Sequence, residues 1–313
     1  MSGWQETGGR AYSELRVSND HLADPAALEA AWRRDGYLFF RSVLDADEIS
    51  SVRRLIEAEL LEQGIMVPAE GGAGVAWSGK PMEGFDDTYM HSLPQRYFPQ
   101  LLETPTTTAF LEAVFGEPVR LWGASGSTLR HIMPNDPLHV SPPHQDRVYI
   151  RHTDLFRTLW LPLAPVPPEA GPLAVAEASH LSGLRDHEEQ EAFSYVLPGR
   201  RQLGVALRDI PERWCSAEYQ PTDALLFHSE LLHWGRPNST RNQVRLSLDA
   251  RVQPLSAPRS WQTETSLEEL RGFRADCQAL LEERGVVGKE FERMITGGWS
   301  NGHHAATLSS DRC

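Results

Sequence analysis

Cysteine is scarce in this chain, and the few present form no pattern. Three occur in 313 residues, at Cys215, Cys277 and Cys313. They are too far apart and odd in number for the disulfide framework of a small secreted domain, so the expectation is a reducing, cytoplasmic setting. The opening stretch MSGWQETGGRAYSELRVSND lacks a basic segment followed by an apolar core, and no secretory signal is expected from it. Long apolar runs are missing too: none approaches the ~18–20 residues that cross a bilayer. Positive charge is in short supply, with 30 Lys and Arg against 43 Asp and Glu and a formal charge of −13. Nucleic-acid binders need a basic face to displace counterions, so such a partner is not expected. Strongly anionic substrates such as coenzyme A esters are disfavoured on the same ground.

What remains is the composition of a globular protein, 40% hydrophobic and 23% charged, unevenly arranged along the chain. The first 24 residues are polar and read as an arm. Pro25 to Arg34 reads as a short helix and Tyr37 to Phe40 as a buried strand. Asp45 followed by Glu48 has the form of a capping box, and Ile49, Val52, Leu55, Ile56 and Leu60 continue at helical spacing, predicting a helix to about Leu61. Gly64 to Gln95, rich in Gly, Met and Pro, reads as a long loop of the kind that serves as a lid. Thr104 and Pro105 open another helix, which Gly116 stops at Phe115.

From Val119 the texture changes. Short β-prone runs recur between Pro, Gly and Asn: Val119–Trp122, Thr128–Met133, Val148–Arg151, Thr158–Leu163, Leu173–Ala176, Ala224–Phe227 and Val244–Val252. Such spacing predicts a barrel or sandwich. After Pro258 the pattern returns to helix, with Ser266 capping a segment from Leu270 to Arg284. The expectation is one domain, mainly β with flanking helices: a β core over about 119–255 and helical flanks over 25–118 and 256–300.

Three stretches carry chemistry. In Ser141-Pro-Pro-His144-Gln-Asp146 the prolines hold the approach extended, and an extended backbone puts His144 and Asp146 on one face. A buried strand then leads through His228 to His233, just before a Gly/Pro/Asn turn. On one continuous strand these two histidines, five apart, face opposite sides, and His233 holds the strand end where ligands converge at a barrel mouth. Finally, Arg245, Ser247, Asp249 and Arg251 alternate with apolar residues. Arg245 lies 12 residues beyond His233, so antiparallel pairing across the turn would bring its guanidinium near the metal, where it can grip a carboxylate with two parallel hydrogen bonds. Ser247 could add a further donor. Two histidines and one carboxylate form the facial triad of non-haem Fe(II) oxygenases. The positions left open suit a chelating 2-oxo acid and dioxygen.

Together these stretches resemble the phytanoyl-CoA dioxygenase-like family of Fe(II)/2-oxoglutarate oxygenases over roughly residues 27–255. The resemblance runs from Asp35-Gly-Tyr-Leu38, Leu44 and Glu48-Ile49 through His144-Gln-Asp146 and Tyr149 to Gly171-Pro-Leu173 and Ser179-His180. It continues with Leu231-Leu-His233, Pro237-Asn238 and Arg245-Leu-Ser247. It implies a double-stranded β-helix core of the jelly-roll or cupin-like kind, iron on His144, Asp146 and His233, and Arg245 as the co-substrate arginine. Trp160 matches a tryptophan that lines the co-substrate pocket. Halogenating relatives replace the metal carboxylate with Gly or Ala; Asp146 is present here, implying oxygenation. Family members often carry a lysine before the Pro-rich approach to the first ligand; here the nearest basic groups, Arg130 and His131, are shifted in position, and Gly235 stands where some members have serine. Dioxygen would complete the reactants, with ascorbate as an accessory reductant. The alternative readings are a divalent-metal hydrolase and a non-catalytic metal-binding protein on the same fold. For the substrate, the acidic chain suits a neutral or cationic small metabolite from specialised metabolism, with Trp77, Tyr149 and His152 as candidate contacts.

Overall fold

The computed structural model describes residues 11–71, 74–80, 97, 100–122, 127–136, 140–148, 155–193 and 201–258. In chain order they form β1 (Ser13–Glu14), α1 (Pro25–Asp35), β2 (Tyr37–Phe40), α2 (Ala46–Glu62), β3 (Met66–Pro68), β4 (Val75–Trp77) and α3 (Pro105–Phe115). The strands β5 (Val119–Leu121), β6 (Thr128–Ile132), β7 (Arg157–Pro162), β8 (Leu173–Ala176), β9 (Glu188–Phe193) and β10 (Arg201–Gly204) follow. The last are β11 (Trp214–Ser216), β12 (Ala224–His228), β13 (His233–Gly235) and β14 (Arg245–Pro254). Each helix starts on an acceptor side chain. Asp24 accepts from the N–H groups of Ala26 and Ala27, Asp45 from those of Asp47 and Glu48, and Thr104 from that of Thr107, satisfying donors the helix cannot pair internally. Gly36 ends α1 at φ 78°, and any side chain there would also collide with the His180 ring.

Two sheets face each other. The larger runs β2-β12-β7-β14-β5 with β6 also on β14, and the smaller runs β1-β11-β8-β13. All pairings in the larger sheet are antiparallel. The helices cover its outer face: Leu28 and Ala31 of α1, Ile49, Val52, Ile56 and Leu60 of α2 and Phe110, Leu111 and Val114 of α3 pack with Leu246, Leu248 and Ala250 of β14. On the inner face Tyr37, Phe39, Trp160, Leu225 and Phe227 meet Leu173, Val175 and Cys215 of the smaller sheet. Covered on both sides, β2 is buried throughout, which explains its uninterrupted apolar run. Each such side chain contributes roughly 1.5–3 kcal/mol by leaving water. This is the double-stranded β-helix architecture, mainly β with helical flanks.

Several expectations change. The N-terminal segment is not simply an arm: β1 pairs in parallel with β11, and Arg16 forms ion pairs with Asp35 and Glu177. Within the Gly64–Gln95 stretch, β3 and β4 make an antiparallel hairpin. The strand expected from Val148 does not start there; Asp146–Val148 is a 3-10 turn, because the amides of Arg147 and Val148 bond back to the carbonyls of Ser229 and Gln145. The helix expected over Leu270–Arg284 lies outside the described residues.

Candidate active site

Between the sheets opens a cavity lined by, among others, Arg130, His144, Asp146, Thr158, Trp160, His233, Gly235 and Arg245. Two of these, far apart in the chain, are direct neighbours. The N–H of His144 donates to the carbonyl of His233 and that of His233 to the carbonyl of His144, both at 3.0 Å. This antiparallel bridge adds the His144 segment to the edge of the smaller sheet and sets the two rings 4.3 Å apart between centroids. Each ring is oriented from behind: Nδ1 of His144 donates to the Pro142 carbonyl at 2.7 Å and Nδ1 of His233 to the Leu231 carbonyl at 3.0 Å. That tautomer leaves each Nε2 lone pair for the cavity, the arrangement metal-binding histidines take.

Both Nε2 atoms lie 3.8 Å from Oδ1 of Asp146. Among the described residues these three side chains form a group that could hold a metal ion, their donor atoms within 4.8 Å of one another and all three residues buried. Donors bound at ~2.1 Å to one ion can be at most ~4.2 Å apart, so the separation of each Nε2 from Oδ1 fits a shared ion. Burial pushes the His144 imidazole well below the ordinary histidine range, the His233 ring adding to the effect, and burial likewise lowers His233. Both are therefore neutral and able to donate a lone pair. Burial opposes the charge of Asp146, but Arg251, with help from the Thr158 hydrogen bond, holds the carboxyl below the usual range. Two neutral imidazoles and one carboxylate are the donor set suited to Fe(II).

The structure corrects how these residues come together. His144 and Asp146 are not successive positions of one strand: the first sits in the bridge and the second opens a 3-10 turn. Between them Gln145 is fully buried. Its amide donates to the carbonyls of Gly183 and Glu230 and accepts from the N–H of Arg185, pinning the turn. His228 and His233 do not share a strand either. β12 ends at His228, a turn closed by Leu231 N–H to the His228 carbonyl follows, and the His228 ring stacks toward Trp32 and His180. Arg245 does not reach the site by pairing with β13, which lies in the opposite sheet. It lines the cavity, 2% exposed, donates to the Gly171 carbonyl and brings Nη1 and Nη2 foremost against Gly235.

Ser247 follows in the same inward row, fully buried, and is not among the cavity's lining residues. Trp160 lines the cavity wall, packs edge-on against Tyr219 at 4.7 Å, and has an indole N–H with no partner among the described residues. That orphaned donor and the Arg245 guanidinium suit an anionic ligand beside the triad. Arg130 is ion-paired to Asp249 and donates to Ser141. Trp77 lies away from the cavity, its indole on the Lys80 carbonyl at 3.0 Å; Tyr149 and His152 fall outside the described residues. Sequence reasoning left Arg251, Thr158 and Gln145 without roles. The alternation of β14 put Arg251 on the same face as Arg245, but nothing linear linked it to Asp146.

A buried His–Asp–His face between the two sheets of a double-stranded β-helix, with a cation across the cavity, defines a mononuclear non-haem metal oxygenase. Comparison with known proteins agrees. The family model described as phytanoyl-CoA dioxygenase matches residues 32–246, and the chain belongs to that family. It is an oxidoreductase, a non-haem Fe(II)- and 2-oxoglutarate-dependent dioxygenase. The chain is 31% identical over 274 residues to the 1-deoxypentalenic acid 11-beta-hydroxylase of Streptomyces arenae, covering 82% of this chain and 91% of that one. It is 30% identical to the Streptomyces exfoliatus enzyme of the same name, covering 79% and 88%. The crystal structure of the non-heme alpha ketoglutarate dependent epimerase SnoN from nogalamycin biosynthesis matches with TM-score 0.48 and 25% identity, over 74% of this chain and 84% of that one.

Proposed function

We propose that this single domain hydroxylates an unactivated C–H bond of a small-molecule natural-product intermediate, with His144, Asp146 and His233 holding the iron and Arg245 anchoring 2-oxoglutarate. The observation that carries the reading is the 3.8 Å approach of both imidazole Nε2 atoms to one Asp146 oxygen, in a cavity that the buried Arg245 also lines. When bound, the iron with 2-oxoglutarate and dioxygen supplies oxidative decarboxylation to succinate and carbon dioxide and the power to take hydrogen from an unactivated carbon.

The protein's own groups do the rest. The two histidines present lone pairs from rings fixed through Nδ1, and Asp146 supplies the anionic donor. Arg245 offers two parallel donors to the far carboxylate of the co-substrate, with Trp160 as a further donor in the cavity wall; Ser247, which does not line the cavity, is not assigned that role. Phe227, Leu173 and Ile132 in the cavity wall exclude water from the reacting centre. The relatives' named substrate is an acid, so the net negative charge of the chain is a weaker guide to substrate charge than the arginines around the cavity. We further propose ascorbate as an accessory reductant, a cytoplasmic setting consistent with an unbridged Cys215, and neither nucleic acid nor membrane as partner. No helix among the described residues is long and apolar enough to cross a membrane.

The test is 2-oxoglutarate-dependent release of carbon dioxide and succinate, with and without Fe(II), across a panel of polycyclic acids. Turnover that needs both and disappears in Asp146→Ala supports the proposal. Hydrolysis of an ester of any panel acid with Zn(II) alone, and no succinate, would refute it.

A further inference from the structure

The two oxygens of Asp146 have different surroundings. Oδ1 faces both histidine Nε2 atoms at 3.8 Å. Oδ2 accepts a hydrogen bond from the Thr158 hydroxyl at 2.5 Å and is ion-paired with Nη2 of Arg251 at 3.0 Å. These two donors are matched by the sheet. Thr158 in β7 stands directly opposite Arg251 in β14, so both side chains leave the same inner face of the larger sheet at one level and converge on one atom. The arrangement is built into the core: Thr158 is 1% exposed, Asp146 3% and Arg251 9%. Every other residue of β14 carries the inward polar row, and Arg251 is the member whose carboxylate partner is a residue of the triad.

We propose that Arg251 and Thr158 are positioning residues that hold Asp146 as a one-oxygen ligand by occupying its second oxygen. The consequence is a matter of counting. A six-coordinate ion with three protein donors keeps three positions for a two-point chelate and dioxygen. A carboxylate bound through both oxygens would take a fourth and leave no room for one of them. A carboxylate oxygen already engaged by a hydroxyl and a guanidinium at bonding distance is not available to the ion. Partners of this kind, one step back from a metal, set both ligand orientation and metal affinity. Arg251 also keeps Asp146 paired before any ion arrives, which avoids the cost of an isolated buried charge. The inference rests on the triad reading above, and the experiment separates the two.

The experiment titrates Co(II) into metal-free full-length protein, following affinity and visible absorption, with thermal unfolding of the metal-free forms as control. Wild type must bind one Co(II), and Asp146→Ala must lose most of that affinity; failure of either overturns the triad and this inference with it. Given that binding, Arg251→Met weakens Co(II) ~10–100-fold and Thr158→Val ~10-fold, each with altered absorption as Asp146 takes up the ion through both oxygens. In Arg251→Met the affinity of the Co(II) protein for 2-oxoglutarate also falls, although Arg245 is untouched. Arg251→Lys, which retains a cation, recovers affinity to within about threefold of wild type. Wild-type affinity and absorption in folded Arg251→Met or in Thr158→Val refute the proposal while leaving the triad standing. If Arg251→Met does not fold, Thr158→Val, which deletes one hydroxyl and keeps the volume, decides alone.

Discussion

Replacing Gly235 with alanine tests whether the Arg245 guanidinium lies where the co-substrate is gripped. Gly235 is not among the glycines with positive φ, so alanine brings no backbone strain. A Cβ built there would stand 3.0 Å from Nη1, 3.1 Å from Nη2 and 3.5 Å from Cζ of Arg245. Unstrained contacts lie at about 3.5–4.0 Å, so the guanidinium must retreat by roughly half an ångström from its present place. Its retreat is limited, because it donates to the backbone carbonyl of Gly171 and is 2% exposed. A two-point grip on a carboxylate tolerates little misplacement, and losing one charge-assisted bond costs about 1.5–3 kcal/mol. That corresponds to ~10–100-fold in dissociation constant. Anaerobic calorimetric titration of 2-oxoglutarate into metal-loaded wild type and Gly235→Ala measures it, with thermal unfolding to show that both are folded. An unchanged dissociation constant in a folded variant would refute the placement of the co-substrate against Arg245.

Three further outcomes follow from the framework. Phe39 is fully buried and edge-on to Tyr219 at 5.4 Å; Phe39→Ala should cost ~3–5 kcal/mol in denaturant unfolding, and a loss below ~1 kcal/mol would contradict the two-sided burial of β2. Burial, with Glu177 adding to it, pushes the Cys215 thiol up to about 11. In a Cys277→Ser, Cys313→Ser background it should stay silent to thiol reagents near neutral pH until the protein is unfolded, and fast native-state labelling would be the contrary result. Burial works against the Asp35 carboxylate, but its hydrogen bonds and ion pairs with Arg34 and Arg16 prevail and hold it below the ordinary range. The stability this gives is present at neutral pH and is lost as pH falls through the depressed value, below about 4. The unfolding temperature of Asp35→Asn should therefore fall less steeply than that of wild type in that acid range, and parallel curves would show that the pair does not contribute.

The linear chain carried the local decisions and the residue types of the site. Asp24, Asp45 and Thr104 act through bonds to amides two or three positions on, so the starts of α1, α2 and α3 are written in adjacent residues. The alternation of β14 separated an apolar face from a polar one before either had a partner. Histidine, aspartate and arginine identified the chemistry only as part of the whole ordered set of motifs that resembles the family, because two histidines with a carboxylate suit Fe(II) and a fork-shaped cation can grip a carboxylate at two points. What the tertiary structure alone decided is which groups touch. Backbone hydrogen bonds between His144 and His233 join distant segments, so no local spacing encodes them. The 3-10 turn at Asp146 depends on a carbonyl from Ser229. The register of β7 against β14, which sets Thr158 opposite Arg251 and both on Asp146, is fixed by the packing of the two facing sheets and the helices that cover the larger one. Side-chain convergence is a property of that closure: each strand presents its inward face, and only the whole sandwich determines what stands across from it.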